Sequence, residues 1–150
     1  MIEITISTAA LDRALTHLEQ AGRNLTPAFK DIGEALMHST RQRFEDGKGP
    51  DGERWRDNRP VTLARKKGNK PLTGETGLLS TEIHYEADPR YVRIGSNKEY
   101  AAMQQFGGKK SEFPHLWGDI PARPFVGVSP ADETEILAIV LDHLQRAAGV

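Results

Sequence analysis

IPARPFVGVSP, residues Ile120 to Pro130, carries three prolines and an arginine around a short apolar run. Pro121 and Pro124 hold φ at about −65° and keep the residue before each out of the α region, so residues 120–124 are expected to be extended and stiff. Phe125, Val126 and Val128 read as a short strand. Ser129, Pro130 and Asp132 then form a helix start, with a hydroxyl cap, proline at the first helical position and an acid in the first turn. Arg123 sits between the two prolines, which aims its guanidinium. A planar fork held this way suits a two-point contact, either in a structural salt bridge or with a partner's carboxylate or phosphate.

The flanking sequence supplies the elements that this stretch joins. After it, Ile136, Leu137, Val140, Leu141 and Leu144 share one stripe of a helix expected over 131–146. Before it, Asn97 is expected to cap a short helix, 98–106, that presents Tyr100, Met103 and Phe106 and stops at Gly107 and Gly108. The irregular segment 108–119 holds Phe113 and Trp117, aromatic surface expected to meet a partner or fold back on the core. Further upstream, a strand from about Ser80 to Glu86, the connection Asp88 and Pro89, and a strand from Tyr91 to Gly95 make an antiparallel hairpin. At the start of the chain, Ile2, Ile4 and Ile6 alternate with polar residues as in a half-buried strand. Helical spacing follows over 8–20 and again from Thr26 to Phe44, where Phe29, Ile32, Gly33, Leu36, Met37, Thr40 and Phe44 form a long stripe closed by Gly47. The sum is an α+β fold. A small antiparallel or mixed sheet of about four strands is expected to pack against two N-terminal helices and a C-terminal helix, within one domain spanning 1–150.

Between Glu45 and Pro71 the apolar period disappears, leaving glycine, proline and charge. A loop of this length is usually functional or disordered, so residues 48–71 are expected to form a long basic arm. From Arg54 to Lys70 the cations are Arg54, Arg56, Arg59, Arg65, Lys66, Lys67 and Lys70 against Asp57 alone, an excess of six. Three readings stand: a solvated arm, an arm between subunits anchored by Trp55 with Arg54 and Arg56, and a phosphate-tracking segment in which Arg59, Arg65, Lys66, Lys67 and Lys70 face DNA. The last would make the protein a nucleic-acid-binding module, although single-strand platforms usually carry several aromatics.

Composition removes other classes. The 150 residues are 37% hydrophobic with a formal charge of −1, which fits one globular domain without overall attraction to nucleic acid or membrane. There is no cysteine, hence no disulfide, thiolate ligand or thiol nucleophile. No apolar run has the length of a membrane span, and MIEITISTAA lacks the pattern of a signal peptide, so the expected place is the cytoplasm. His17, His38, His84, His115 and His143 show no metal-ligand spacing, and no nucleophile elbow or phosphate-binding glycine loop is present. The expectation is no enzyme and no cofactor. Glu82, His84 and Glu86, which alternate onto one strand face, would reopen an enzymatic reading if they lined a closed pocket.

One order of residues is more specific than any piece of it. Phe44, the turn Gly49-Pro50-Asp51-Gly52, Trp55, Thr62, Lys66, Leu72, Thr76-Gly77, Leu79, Ile94-Gly95, Tyr100-Ala101, Gln105-Phe106-Gly107 and IPARPF together resemble the virion morphogenesis, or tail completion, proteins of Mu-like and related tailed phages. The resemblance covers about Phe44 to Asp132. It implies a small α+β structural protein of the virion, assembled in the host bacterial cytoplasm, that acts at the head-proximal end of the tail. The implied partners are other copies of itself in a ring, possibly a hexamer, the tail tube, head-tail connector proteins, and non-specifically DNA in the lumen; no membrane is implied. Gln104 stands where such proteins often carry histidine, and the region from Gly107 to Asp119 varies in length, so contacts made there are not transferred.

Overall fold

The computed structural model describes residues 8–20, 24–58, 71–72, 78–116 and 118–147. Helix α1 (Ala9–Gln20) begins where the Leu11 amide donates to the Thr8 hydroxyl at 3.2 Å, and it buries Ala14 and Leu18. Helix α2 (Thr26–Asp46) starts beside Asn24, whose side-chain oxygen accepts from the Thr26 amide, and carries Pro27 in its first turn. It ends at Gly47, which takes the left-handed conformation, φ 67°, and donates to the Arg43 carbonyl. Helix α3 (Leu78–Thr81), strands β1 (His84–Ala87) and β2 (Val92–Gly95), helix α4 (Ala101–Phe106) and helix α5 (Pro130–Ala147) follow.

The fold is α+β, as the sequence leads one to expect, and the bounds of α1, α2 and α5 agree with their stripes, whereas α4 begins at Ala101 rather than at 98, with Tyr100 in place of Asn97 at its N-cap and no side-chain cap. The α5 start is closed reciprocally: the Asp132 amide donates to the Ser129 hydroxyl and the Ser129 amide donates to the Asp132 carboxylate, each at 3.0 Å. The sheet differs from expectation. Among the described residues it has two antiparallel strands, with His84 opposite Gly95 and Ala87 opposite Val92. Asp88 closes the hairpin by accepting from the Arg90 and Tyr91 amides. The strand expected from Ser80 begins four residues later, because a turn of helix there sends Leu79 and Ile83 into the core, 4% and 0% exposed.

Phe125 to Val128 is not a strand, and the cause is visible in its hydrogen bonds. The Phe125 and Val126 amides donate to the Gln105 side-chain oxygen at 3.0 Å, and the Gln105 amide nitrogen donates to the Val126 carbonyl at 2.9 Å. Arg43 donates to the Phe125 and Gly127 carbonyls. Side chains from two helices therefore take the backbone groups that a neighbouring strand would have used. The expected strand at Ile2, Ile4 and Ile6 lies outside the described residues.

Helix α2 runs through both halves of the core. One cluster joins Ala14 of α1, Phe29, Ile32 and Leu36 of α2, and Ile136 and Val140 of α5. His143 of α5 meets Asp31 of α2 at 2.6 Å on its rim. The other cluster joins Phe44, Trp55, Leu79, Ile83, Ala101, Phe125 and Val126. The hairpin lies on α2 at Gly33, where a Cβ would stand 2.3–2.8 Å from atoms of the Tyr85 ring, and the Tyr85 hydroxyl donates to Glu34 at 2.7 Å. Glycine is required there by close approach, since its backbone dihedrals are ordinary helix.

The first part of the expected arm is folded. Gly47 to Trp55 turns back on the end of α2, with the Gly49 amide donating to the Glu53 carbonyl, the Trp55 amide donating to the Gly47 carbonyl, and Lys48 bridged to Arg54. Trp55 is 6% exposed and meets Phe44 edge-on, ring centres 5.5 Å apart. A polar composition hid one large apolar anchor.

Candidate interaction surface

The stretch 120–130 joins the elements, and each of its contacts has a local cause. Trp55 donates its indole N–H to the Pro124 carbonyl at 2.7 Å, and the Arg123 amide donates to the Gln104 carbonyl at 2.8 Å. Gly108 and Ile120 exchange both backbone hydrogen bonds, 2.9 and 2.7 Å. Gly107 makes this approach possible: its φ is 71°, and a Cβ would stand 2.7 Å from the Ile120 oxygen and the Ala122 nitrogen. Arg43 sits beneath, forming a buried ion pair with Asp132 and a hydrogen bond to the Ser39 hydroxyl besides its two carbonyls. Burial pushes the Arg43 guanidinium below its ordinary pKa, and Asp132 opposes that shift by charge and hydrogen bonding. With four acceptors around it, one of them a carboxylate, the buried charge is compensated.

Outside this hub lies an open cleft. Its walls are Arg56, Asp57, Phe106, Gly107, Gly108, Lys109, Glu112, Asp119, Ile120, Pro121 and Arg123. Phe106 stands on the wall with 67% of its surface exposed, more than any other large apolar side chain of the described residues. Arg123 is 8% exposed and reaches the cleft from below, its Nε donating to the Arg56 carbonyl at 2.9 Å and a terminal nitrogen donating to the Asp57 carbonyl at 3.2 Å. Burial pushes the Arg123 guanidinium down, neighbouring Arg56 pushes it further, and Asp57 partly offsets both. On the rim, the Asp119 carboxylate accepts from the Lys110 amide.

The residues singled out from sequence separate into three groups. Arg56 and Arg123 meet in the cleft. Arg54 and Phe113 are exposed, Phe113 edge-on to His115 with ring centres 6.3 Å apart. Trp55, expected to anchor a neighbouring subunit, is instead built into its own chain. Arg123 is held by backbone carbonyls, with no salt bridge to a carboxylate among the described residues. Trp117, Arg59, Arg65, Lys66, Lys67 and Lys70 lie outside the described residues. Sequence reasoning missed Arg43, Gln105 and the exposure of Phe106. Arg43 had a signal, because it falls seven residues after Leu36 and three after Thr40, a charge on the apolar stripe that needed a buried partner. Glu82 and His84 approach to 3.3 Å at the surface, both side chains about half exposed (41% and 51%), and neither belongs to the cleft. No group of three candidate metal ligands occurs among the described residues, and none of their helices is long and apolar enough to cross a membrane.

Mu-like prophage FluMu G protein 2 of Haemophilus influenzae is 34% identical over 146 residues, covering 97% of each chain. Putative capsid assembly protein G of Escherichia phage Mu is 33% identical over 121 residues, 77% of each chain. Tail completion protein S of Escherichia phage P2 is 26% identical over 143 residues, 86% of this chain and 89% of that one. No solved structure matches. The phage virion morphogenesis family matches residues 6–145, which include α1, the hub at 120–130 and nearly all of α5, and the chain belongs to that family.

Proposed function

We propose that this protein is a structural subunit that completes the phage tail at its head-proximal end and joins tail to head, working as a ring of subunits. The observation that carries the reading is family membership over residues 6–145, together with a relative named for tail completion that aligns along 89% of its length. The surface supports it. An open cleft, an exposed Phe106 and an exposed Phe113 next to a rigid hub give the subunit faces through which an assembly protein works. Arg54, Arg56 and Phe113 are assigned to subunit or partner contacts.

Head-to-tail contacts that close make a ring, and a sixfold tail tube templates a sixfold one. The free protein is then a monomer or a weak associate. Arg59, Arg65, Lys66, Lys67 and Lys70 are assigned backbone contacts with DNA in the lumen, without sequence preference. The place of action is the virion, after assembly in the host bacterial cytoplasm. Sedimentation of the purified protein, alone and with tails purified from a host lacking it, tests the reading. A free monomer that becomes a tail-bound ring supports it, and a tight twofold dimer that persists on tails contradicts it.

A further inference from the structure

Among the described residues two arginines are buried, and they are treated differently. Arg43, 6% exposed, receives a carboxylate, a hydroxyl and two carbonyls. Arg123, 8% exposed, receives only two carbonyls, and no carboxylate lies within ion-pair distance of it among the described residues. A guanidinium has five N–H donors, so the two used leave three. A buried cation without a counterion is costly unless one arrives, and this one reaches an open cleft.

We propose that the cleft receives a carboxylate from a partner protein, bound by Arg123 and framed by Phe106, on whose exposed face the partner's adjoining apolar side chain lies. The lining decides between carboxylate and nucleic-acid phosphate. Arg56, Lys109 and Arg123 are matched there by Asp57, Glu112 and Asp119, so the cleft has no net field to draw a polyanion. One cation is deep and the three acids are not, since Asp57, Glu112 and Asp119 are all exposed. A single carboxylate reaching inward meets Arg123, whereas a phosphate backbone passing over the mouth meets the acids. The planar fork suits two-oxygen acceptance, and Ile120, Pro121 and Phe106 offer apolar contact beside it.

The test uses the isolated full-length protein, so its failure leaves the tail-completion role standing. Chemical shifts of backbone amides and of the Arg123 Nε–H are followed during titration with three blocked dipeptides. N-acetyl-Asp-Phe-amide carries a side-chain carboxylate, N-acetyl-Gly-Phe a terminal one, and N-acetyl-Asn-Phe-amide none. The expected result is saturable shifts at Gly107, Gly108 and Arg123 with either acid, the stronger of the two naming the source, and binding of the Asn peptide about tenfold weaker. Phe106→Ala removes an exposed ring and leaves the hub intact, so its folded variant should bind the acids about fivefold more weakly, the equivalent of roughly 40 Å² of apolar contact. Equal binding of the Asn peptide, shifts confined to other surfaces, or a short DNA duplex moving the same signals at the same concentration overturns the proposal.

Discussion

Replacing Trp55 separates a core role from a docking role. The indole is 6% exposed, meets Phe44 edge-on at 5.5 Å, and donates to the Pro124 carbonyl at 2.7 Å. Trp55→Ala removes nearly all of that apolar contact and leaves a cavity under the hub, which for a buried aromatic costs about 3–5 kcal/mol. Trp55→Phe keeps most of the ring but strands the Pro124 oxygen, costing about 1–3 kcal/mol. Against a total stability of about 5–15 kcal/mol, the first change is a large fraction and the second a measurable one. Urea unfolding followed by far-ultraviolet circular dichroism gives both values. For a chain of this size each kcal/mol also lowers Tm by about 2–4 °C, so Trp55→Ala should fall by roughly 6–20 °C. A Trp55→Ala variant within about 1 kcal/mol of the parent would refute the core assignment. For the same reason, exchanging residues 48–71 for a Gly/Ser linker should destabilise the protein rather than leave a fully stable monomer.

Three further outcomes follow from the hub and the hairpin. Gln105→Ala strands the Phe125 and Val126 amides and the Val126 carbonyl, and thermal unfolding should show a loss of about 3 kcal/mol or more. Asp132→Asn leaves Arg43 buried without its counterion and should cost about 3–5 kcal/mol, whereas Arg43→Leu with Asp132→Leu should cost less than the two single changes summed, as a double-mutant cycle would record. Asp88 titrates below the ordinary aspartate value, chiefly because the Arg90 amide bonds its carboxylate, aided by the Tyr91 amide and the Arg90 charge. Its contribution is therefore present above the unfolded pKa of about 4 and lost as pH falls through the lower folded value, which a carboxyl-carbon NMR titration of Asp88 checks.

Helices were legible from sequence because their stripes and caps are local signals. Ser129, Pro130 and Asp132 announced α5, and Gly47 announced the end of α2. The segment from Phe125 to Val128 was misread because apolar, β-branched residues signal burial, and burial is compatible with a strand or with backbone held by side chains. Gln105 and Arg43 made the second choice, 20 or more residues away in the chain. Trp55 was misplaced for a related reason: averaging over a polar loop hides one residue that packs, and its partners lie outside that loop, Phe44 in the preceding helix and Pro124 far along the chain. Arg123 donates to the Arg56 and Asp57 carbonyls, which belong to a segment whose path no local rule predicts.

Cryo-electron microscopy of tails and whole particles, made with this protein and without it, tests the central claim most directly. The predicted result is a closed ring of subunits, sixfold on a sixfold tube, at the head-proximal end of each tail, and tails that fail to join heads when the protein is withheld. Infectious particles of unchanged appearance without the protein, or its subunits found elsewhere in the assembly, would contradict it.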